Sequence, residues 1–253
     1  MANHELILFP SDDTLASAVA DRWLDELAAL ALKDPPHCVA LSGGRVAKKY
    51  LTAVAAQARA RSISLDHVHF FWGDERCVPP TDTESNFLLA KTHLLDPLRI
   101  QPDKIHRVRG EIPPNQAAAE AEAEICRIAP TTAAAQPVLD LIFLGLGEDG
   151  HVASLFPGAP DEVVRNKSIY LPVLASKPPP QRITICFATI AAARQVWVLA
   201  SGPAKENALR ESLSANGQTP LARVLQSRDN TIIFTDIPKQ DGRPADRRAA
   251  VCA

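Results

Sequence analysis

The sequence contains no hydrophobic run close to the roughly 20 residues that a helix needs to cross a bilayer. Its first residues, from Met1 to Glu5, lack the basic region and following apolar stretch of a secretory signal. The 27 Lys and Arg residues nearly balance the 29 Asp and Glu residues, and the resulting net charge of −2 argues against a specialised nucleic-acid or membrane-surface binder. We therefore expect a soluble, cytoplasmic protein without a membrane or nucleic-acid partner.

Cysteine is scarce and shows no ligand pattern. The 5 cysteines include no C-x-x-C pair, so they predict neither a disulfide framework nor a zinc site. His67 and His69 would share one face of a strand, but the neighbouring sequence offers no third metal ligand. The sequence therefore predicts no metal, and most of the cysteines are expected to be small core residues.

With 253 residues and 46% hydrophobic content, the chain is long enough for one large α/β domain or two small ones. Its first third alternates apolar runs of strand length, at 5–9, 38–41 and 68–72, with two segments of helical periodicity. The first helix follows a capping Ser11, and the second spans about 48–61. This order predicts a parallel sheet covered by helices on both faces.

The alternation continues along the rest of the chain. Residues 138–144 form the most apolar run and are predicted to be a central strand buried on both faces. The other predicted elements are helices at 84–95, 115–128 and 204–213 and strands at 105–108, 183–187, 196–199 and 231–234. Short proline clusters fall between these elements and indicate rigid loops. We predict a single domain over 1–238 and a disordered polar tail at 239–253.

Polar and glycine-rich segments follow four of the predicted strands. Ligands of parallel sheets bind outside the carboxyl ends of the strands, so these segments are the first place to look for a site. The segments are SGGR at 42–45, GDER at 73–76, GLGEDGH at 145–151 and SGPAK at 201–205. We expect them to meet at one edge of the sheet.

Residues 145–150 fit the G-x-G-x-x-G pattern of dinucleotide-binding proteins, but their context does not. That fold needs a substantial helix directly after the third glycine, and Pro157 and Pro160 leave room only for a turn or two. A full Walker A pattern and the G-x-S-x-G pattern of α/β-hydrolases are absent as well. We therefore predict neither a nucleotide cofactor nor a serine nucleophile.

The paired glycines Gly43 and Gly44 lie between a predicted strand and helix, where backbone N–H groups and the helix N-terminus favour an anion. Arg45, Arg182 and Lys205 lie at or near predicted strand ends in a chain with no overall positive charge. Arginine also suits bidentate phosphate contacts. These features favour a phosphate site, and the alternative is an ordinary turn with solvated basic side chains.

His151 follows the most apolar predicted strand. Imidazole has an ordinary pKa of about 6.5, which suits a general base near neutral pH. Asp149 or Glu148 would orient the ring. The alternative is a histidine with only a structural role at the end of a strand.

Four long motifs occur together in the sequence: FWGDERCVPP at 71–80 with Ser85-Asn86, LDLIFLGLGEDGHVASLFPG at 139–158, PQRIT at 180–184 and GPAK at 202–205. Together they resemble the family of glucosamine-6-phosphate isomerases and 6-phosphogluconolactonases, over about residues 41–213. The resemblance implies an α/β fold, a three-layer α/β/α sandwich with a mainly parallel, Rossmann-like sheet. Glucosamine-6-phosphate deaminases, ribose-5-phosphate isomerases and CoA transferases share this fold.

The resemblance also implies a reaction. It is the hydrolysis of 6-phosphoglucono-δ-lactone to 6-phosphogluconate in the oxidative pentose phosphate pathway, without a cofactor. We therefore expect a small-molecule sugar-phosphate substrate, and we expect the chain to be a monomer or a weak homo-oligomer. The alternatives are a sugar-phosphate isomerase or deaminase of the same fold, and a non-catalytic sugar-phosphate sensor domain.

Carried over residue by residue, the resemblance assigns roles to these motifs. The catalytic residues are His151 as general base, Arg76 near the reacting ring and Asp149 beside the histidine. The phosphate-binding residues that it implies are Gly43, Gly44, Arg182 and Lys205, to which we add Arg45 although it departs from the family pattern, and the residues expected to bind substrate or shape the site are Ser42, Asp74, Glu75 and Asn86.

The chain departs from the family pattern at two places. Arg45-Val46-Ala47 stands where the family commonly has Ser-Thr-Pro, which removes two hydroxyl donors and adds a guanidinium. Ala191 stands where the family often has Asn. We expect Arg45 to replace the missing donors at the phosphate, and the alternative is a side chain that points to solvent.

Overall fold

Two sheets organise the structure, a computed structural model that describes residues 4–30 and 35–238. The strands, numbered along the chain, are β1 (His4–Leu8), β2 (His37–Leu41), β3 (Val68–Trp72), β4 (Asp74–Arg76), β5 (Leu141–Gly145), β6 (Tyr170–Leu174), β7 (Gln181–Ile185), β8 (Gln195–Ala200) and β9 (Thr231–Thr235). A 6-stranded sheet has the order β1-β9-β8-β5-β2-β3, and every pair in it is parallel. The 3-stranded sheet β4-β7-β6 is antiparallel.

Helices flank the parallel sheet. They are α1 (Asp12–Ala28), α2 (Arg45–Arg61), α3 (Asn86–Ala90), α4 (Asp96–Leu98), α5 (Pro114–Ile128), α6 (Asp161–Val164), α7 (Phe187–Ala192), α8 (Glu206–Leu213) and α9 (Pro220–Ser227). The side chain of Ser11 accepts a hydrogen bond from the Thr14 backbone, which caps α1 as its sequence predicts. The prediction of an α/β fold with helices around a mainly parallel sheet is confirmed.

The core of the structure lies on the central strand β5. The ring of Phe143 stacks on Tyr50 at 4.8 Å between centroids, and it meets Trp23 and Trp197 edge-on at 5.2 and 5.6 Å. All four side chains are almost completely buried. Large rings in such contacts fix β5 rigidly, so the loop that follows the strand starts from a well-defined point.

Several predicted elements differ from the structure. The strand predicted at 105–108 is wrong, because Ile105 makes only an isolated bridge to Phe70. The helix predicted at 84–95 is interrupted by a π-helical turn, Lys91–Leu95, between α3 and α4. The strand predicted at 183–187 exists as β7, but it belongs to the antiparallel sheet, which the sequence did not predict.

The single domain over 1–238 stays a prediction, and the predicted tail at 239–253 lies outside the described residues. Among the helices of the described part, none has both the length and the apolar character needed to span a bilayer. Within residues 4–30 and 35–238, no group of three or more His, Cys, Asp or Glu side chains is arranged to hold a metal ion. His69 instead makes a 2.8 Å contact with His106 through their ring nitrogens.

Candidate active site

A cleft of about 300 Å³ opens at the carboxyl ends of β2, β3, β5 and β8. The four segments singled out in the sequence all contribute to its wall. The predicted site residues that line it are Ser42, Gly43, Gly44, Arg45, Asp74, Arg76, Asn86, His151, Arg182 and Lys205. A larger cavity of about 770 Å³ adjoins Asp149 and Phe156, but its wall is mainly apolar and carries none of these cations.

His151 and Asp149 form a hydrogen-bonded pair on one side of the cleft. The His151 Nδ1 lies 2.5 Å from Asp149 Oδ1, and the backbone N–H of His151 donates to the same oxygen at 3.2 Å. Burial alone would raise the pKa of Asp149, but the charge and hydrogen bonds of His151 outweigh it and hold that pKa below its ordinary value. Because Nδ1 is engaged by the carboxylate, Nε2 is the ring nitrogen left to accept a proton.

Glycine is required at two positions beside this pair for reasons of packing and backbone conformation, and not for dinucleotide binding. A Cβ atom on Gly147 would lie 2.0 Å from His151 Nδ1 and 2.6 Å from Asp149 Oδ1. Gly150 has a φ of +86°, which an L side chain rarely adopts. The glycine spacing therefore makes room for the histidine–aspartate pair.

The cleft wall also contains the N-terminus of α2. Gly44 is the N-cap residue with a φ of +100°, and no side chain caps the helix there. The first N–H groups of a helix have no partner within the helix, so this end favours an anion. A Cβ atom on Gly43 would lie 1.9 Å from Asn86 Oδ1, so only glycine allows the loop to pack against Asn86.

Three of the cations predicted from the sequence line the cleft without a carboxylate partner. Among the described residues, none of Arg45, Arg182 and Lys205 has a carboxylate oxygen within 4.0 Å of its side-chain nitrogens. Arg45 Nη2 would lie 3.9 Å from a Cβ atom on Gly202, so this side chain reaches the loop that carries Lys205. Burial, and then the charge of Arg45, lower the pKa of Lys205.

Arg76 and Arg182 lie directly opposite each other on the antiparallel strands β4 and β7. Arg76 donates to the backbone carbonyl of Glu84, whose carboxylate lies 3.6 Å away. Arg182 donates through Nε to the Pro179 carbonyl at 3.1 Å. Burial, and then the neighbouring charge of Arg76, lower the pKa of Arg182. Among the described residues no carboxylate oxygen lies within 4.0 Å of the Arg182 guanidinium nitrogens, so this part of the cleft wall favours a negatively charged ligand.

The carboxylates of Asp74 and Glu75 organise the loop after β3. Asp74 accepts from the Ser154 hydroxyl at 2.7 Å and from the Asn86 amide at 3.2 Å. Glu75 does not line the cleft. Its carboxylate accepts from the backbone N–H groups of Arg76, Asn86 and Phe87, each at 2.8 Å. Burial raises the pKa of Glu75 to about 7 against the opposing effect of these hydrogen bonds.

Glu75→Ala is expected to lower the free energy of unfolding by about 3–5 kcal/mol, because several buried donors lose their acceptor together. Chemical denaturation measures this change. The exposed Glu162→Ala is the control and should stay within about 0.5 kcal/mol of the unmodified protein. A Glu75→Ala variant as stable as the control would contradict this role of the carboxylate.

Sequence reasoning missed one cation of the cleft. Lys177 lines it from the loop between β6 and β7, within the proline cluster that the sequence analysis treated only as a rigid connection. The sequence did contain an indication of this position. Lys177 directly precedes Pro178, which restricts the backbone of the lysine and gives its side chain a defined starting point. Glu148 also lines the cleft. Asp149 lies outside the cleft wall and contacts the ring of His151.

The fold and the site define a Rossmann-like α/β protein with a cleft lined by cationic side chains and a histidine–aspartate pair at the carboxyl edge of its sheet. The sequence model described as glucosamine-6-phosphate isomerases/6-phosphogluconolactonase matches residues 10–233. The chain therefore belongs to that family, as its motifs predict.

Individual relatives agree with this assignment. The chain is 34% identical to the 6-phosphogluconolactonase of Streptomyces coelicolor over 220 residues, which cover 85% of this chain and 84% of that one. It is 31% identical to the 6-phosphogluconolactonase of Mycobacterium tuberculosis over 239 residues, covering 90% and 94% of the two chains. The solved structure of 6-phosphogluconolactonase from Trypanosoma brucei matches with a TM-score of 0.82 at 26% identity, covering 93% and 97% of the two chains.

Proposed function

We propose that the chain is an enzyme that hydrolyses 6-phosphoglucono-δ-lactone to 6-phosphogluconate in the oxidative pentose phosphate pathway. The observation that carries the proposal is that one small cleft is lined by several cations without a carboxylate partner and by His151, whose ring is held by Asp149. The cations fit a phosphate group and the pair fits the activation of water. The substrate is a small-molecule sugar phosphate, and the chain acts as a monomer or a weak homo-oligomer.

In this reaction, water attacks the lactone carbonyl carbon C1. His151 Nε2 takes the proton of the attacking water, and the tetrahedral intermediate then expels the ring oxygen, which receives that proton from the imidazolium. Asp149 holds the Nδ1–H and stabilises the positive charge that the ring carries between the two steps. No covalent intermediate is required.

The positive groups of the cleft have two further roles, at the carbonyl oxygen and at the phosphate. Arg76, which lines the same cleft as His151, is assigned to stabilise the negative charge that develops on the carbonyl oxygen. The N-terminus of α2, together with Arg45, Arg182 and Lys205, holds the phosphate. Binding energy at the phosphate thereby fixes the position of C1 relative to His151.

A turnover assay tests the proposal. The purified chain should hydrolyse 6-phosphoglucono-δ-lactone well above the spontaneous rate, followed by acid release or by 6-phosphogluconate formation. Glucosamine 6-phosphate and ribose 5-phosphate are the matched substrates for a deaminase or an isomerase of the same fold. Turnover of either substrate in place of the lactone would contradict the proposal, and binding without any turnover would identify a sensor domain.

Arg45 is proposed as a phosphate ligand that compensates for the missing hydroxyl donors. Arg45→Lys keeps the charge and loses the forked geometry, so we expect a Michaelis constant for the lactone raised a few-fold, and about tenfold for Arg45→Ala. Steady-state kinetics measure both. Arg59→Ala, at the exposed far end of α2, is the control. Unchanged constants in both Arg45 variants would mean that this arginine is only a surface residue.

A further inference from the structure

Asp236 follows β9 directly and fixes the loop that carries Lys205. Its Oδ1 accepts from the backbone N–H of Gly202 at 2.8 Å, and its Oδ2 accepts from the Ser201 hydroxyl at 2.9 Å. The family match ends at residue 233, so this carboxylate lies beyond the part of the chain that the match covers. Asp236 also does not line the cleft.

The two contacts determine the path of the loop after β8. Gly202 has a φ of +96°, and its carbonyl accepts from the backbone N–H of Lys205 at 3.1 Å, which closes the short turn before α8. Because β8 and β9 are neighbouring parallel strands, Asp236 ties this turn to the rigid end of the next strand. The position of the Lys205 side chain therefore depends on Asp236.

Charged side chains around Lys205 also bear on the role of Asp236. The charged groups that face Lys205 are Arg45, Glu148 and Asp236. Burial and Arg45 lower the pKa of Lys205, and the two carboxylates oppose them. Arg45 is the position at which this chain adds a guanidinium to the loop, so the neighbouring lysine has particular need of a counter-charge.

We propose that Asp236 is a positioning residue of the phosphate subsite, which holds the 201–205 loop and places a negative charge near the Lys205 ammonium and Arg45. The inference rests on the proposed function, in which Lys205 binds the substrate phosphate. Asp236 touches neither the substrate nor the reacting atoms, and it acts through Lys205.

The test uses Asp236→Asn in the full chain. The amide oxygen still accepts from the Gly202 N–H, and the amide N–H now donates to the Ser201 hydroxyl oxygen, which reverses that hydrogen bond; both loop contacts remain while the charge is lost. Calorimetry with 6-phosphogluconate, repeated at increasing pH, should show binding about tenfold weaker where Lys205 has lost its proton in the variant and not in the unmodified chain. Loss of the carboxylate favours the neutral amine of Lys205, so the decline of affinity with rising pH should begin at lower pH than in the unmodified chain.

Kinetics separate this role from a purely structural one. The Michaelis constant for 6-phosphoglucono-δ-lactone should rise about tenfold, with the constants for unphosphorylated glucono-δ-lactone unchanged. Asp229→Asn removes an exposed carboxylate just before the other end of β9 and should change neither. Equal losses for the two lactones, unchanged 6-phosphogluconate binding, or the same loss in Asp229→Asn would each overturn the inference.

Ser201→Ala provides a second variant that keeps the charge and removes one loop contact. It should weaken 6-phosphogluconate binding two- to threefold, and unchanged affinity would overturn the loop-holding part of the inference. The binding experiment also distinguishes the two proposals. If the unmodified chain binds 6-phosphogluconate but does not hydrolyse the lactone, the proposed function fails, and the comparison of variants by calorimetry still decides the role of Asp236.

Discussion

His151→Ala is expected to lower turnover of 6-phosphoglucono-δ-lactone by about two to four orders of magnitude, the usual contribution of a positioned general base. The ring lies at the wall of the cleft, with Nδ1 held by Asp149 and Nε2 left to accept a proton. The loss should appear in kcat, because the phosphate contacts that bind the substrate remain. Steady-state kinetics with subtraction of spontaneous hydrolysis measure it.

The fold is expected to survive this substitution. His151 is partly exposed, its ring packs at 4.8 Å from Phe156, and removing it leaves the buried side chains of β5 in place. His93→Ala is a matched control, since that partly buried histidine contacts Thr52 at 3.1 Å outside the cleft and should leave turnover unchanged. Near-native turnover in His151→Ala, with the same thermal midpoint, would remove His151 from the mechanism.

Asp149→Asn tests the pair in a different way. The amide oxygen still accepts the Nδ1–H, but the charge that stabilises the imidazolium is lost. We expect turnover to fall by at least tenfold while 6-phosphogluconate binds as before, because Asp149 lies outside the cleft wall. A loss of binding without a loss of turnover would contradict the assignment of Asp149 as the orienting group.

The parallel sheet was predictable because its strands are short apolar runs with clear boundaries. The five residues of β2 are all buried, as are those of β9, and this double-sided burial gives a continuous hydrophobic signal. The carboxyl-edge rule then identifies the segments after β2, β3, β5 and β8 as candidates for the site. Those segments do line one cleft, which the sequence order alone indicates.

The antiparallel sheet was not predictable in the same way. The strand β4 has three residues, Asp74–Arg76, all of them charged, and β6 contains Pro172 with an exposed side chain. The strand β4 lacks the apolar run that marks a strand, and Pro172 interrupts the apolar run of β6. Their pairing joins residues far apart in the chain, such as Arg76 and Arg182, which no local sequence pattern indicates.

The direction of the Glu75 side chain is another feature that could not be predicted from the sequence. The sequence places Glu75 between two residues that line the cleft, so it is expected to face the substrate or to shape the site. In the structure the strand alternation turns its side chain away from the cleft, toward the start of α3. The residue type indicates chemistry, but the direction of the side chain follows from the strand β4, which the sequence did not reveal.

Arg182→Ala is expected to lower kcat/KM for 6-phosphoglucono-δ-lactone by about a hundredfold, because a buried guanidinium supplies two or more charge-assisted hydrogen bonds to a phosphate. Arg182 is 7% exposed, lies opposite Arg76 and has its guanidinium 5.7 Å from the centre of the Phe156 ring. Removing it also relieves the repulsion with Arg76, so the fold should not suffer in proportion.

The decisive comparison is with glucono-δ-lactone, which has the same reacting group and no phosphate. A phosphate ligand predicts that Arg182→Ala loses most of the preference for the phosphorylated lactone while its kcat/KM for the unphosphorylated one changes little. Arg223→Ala controls for the loss of an arginine over an aromatic ring, since Arg223 lies 5.3 Å from the Phe187 ring centre outside the cleft. If Arg182→Ala lowers kcat/KM equally for the two lactones, then Arg182 acts at the reacting end or on the fold. The phosphate must then be held by the remaining cations and the N-terminus of α2.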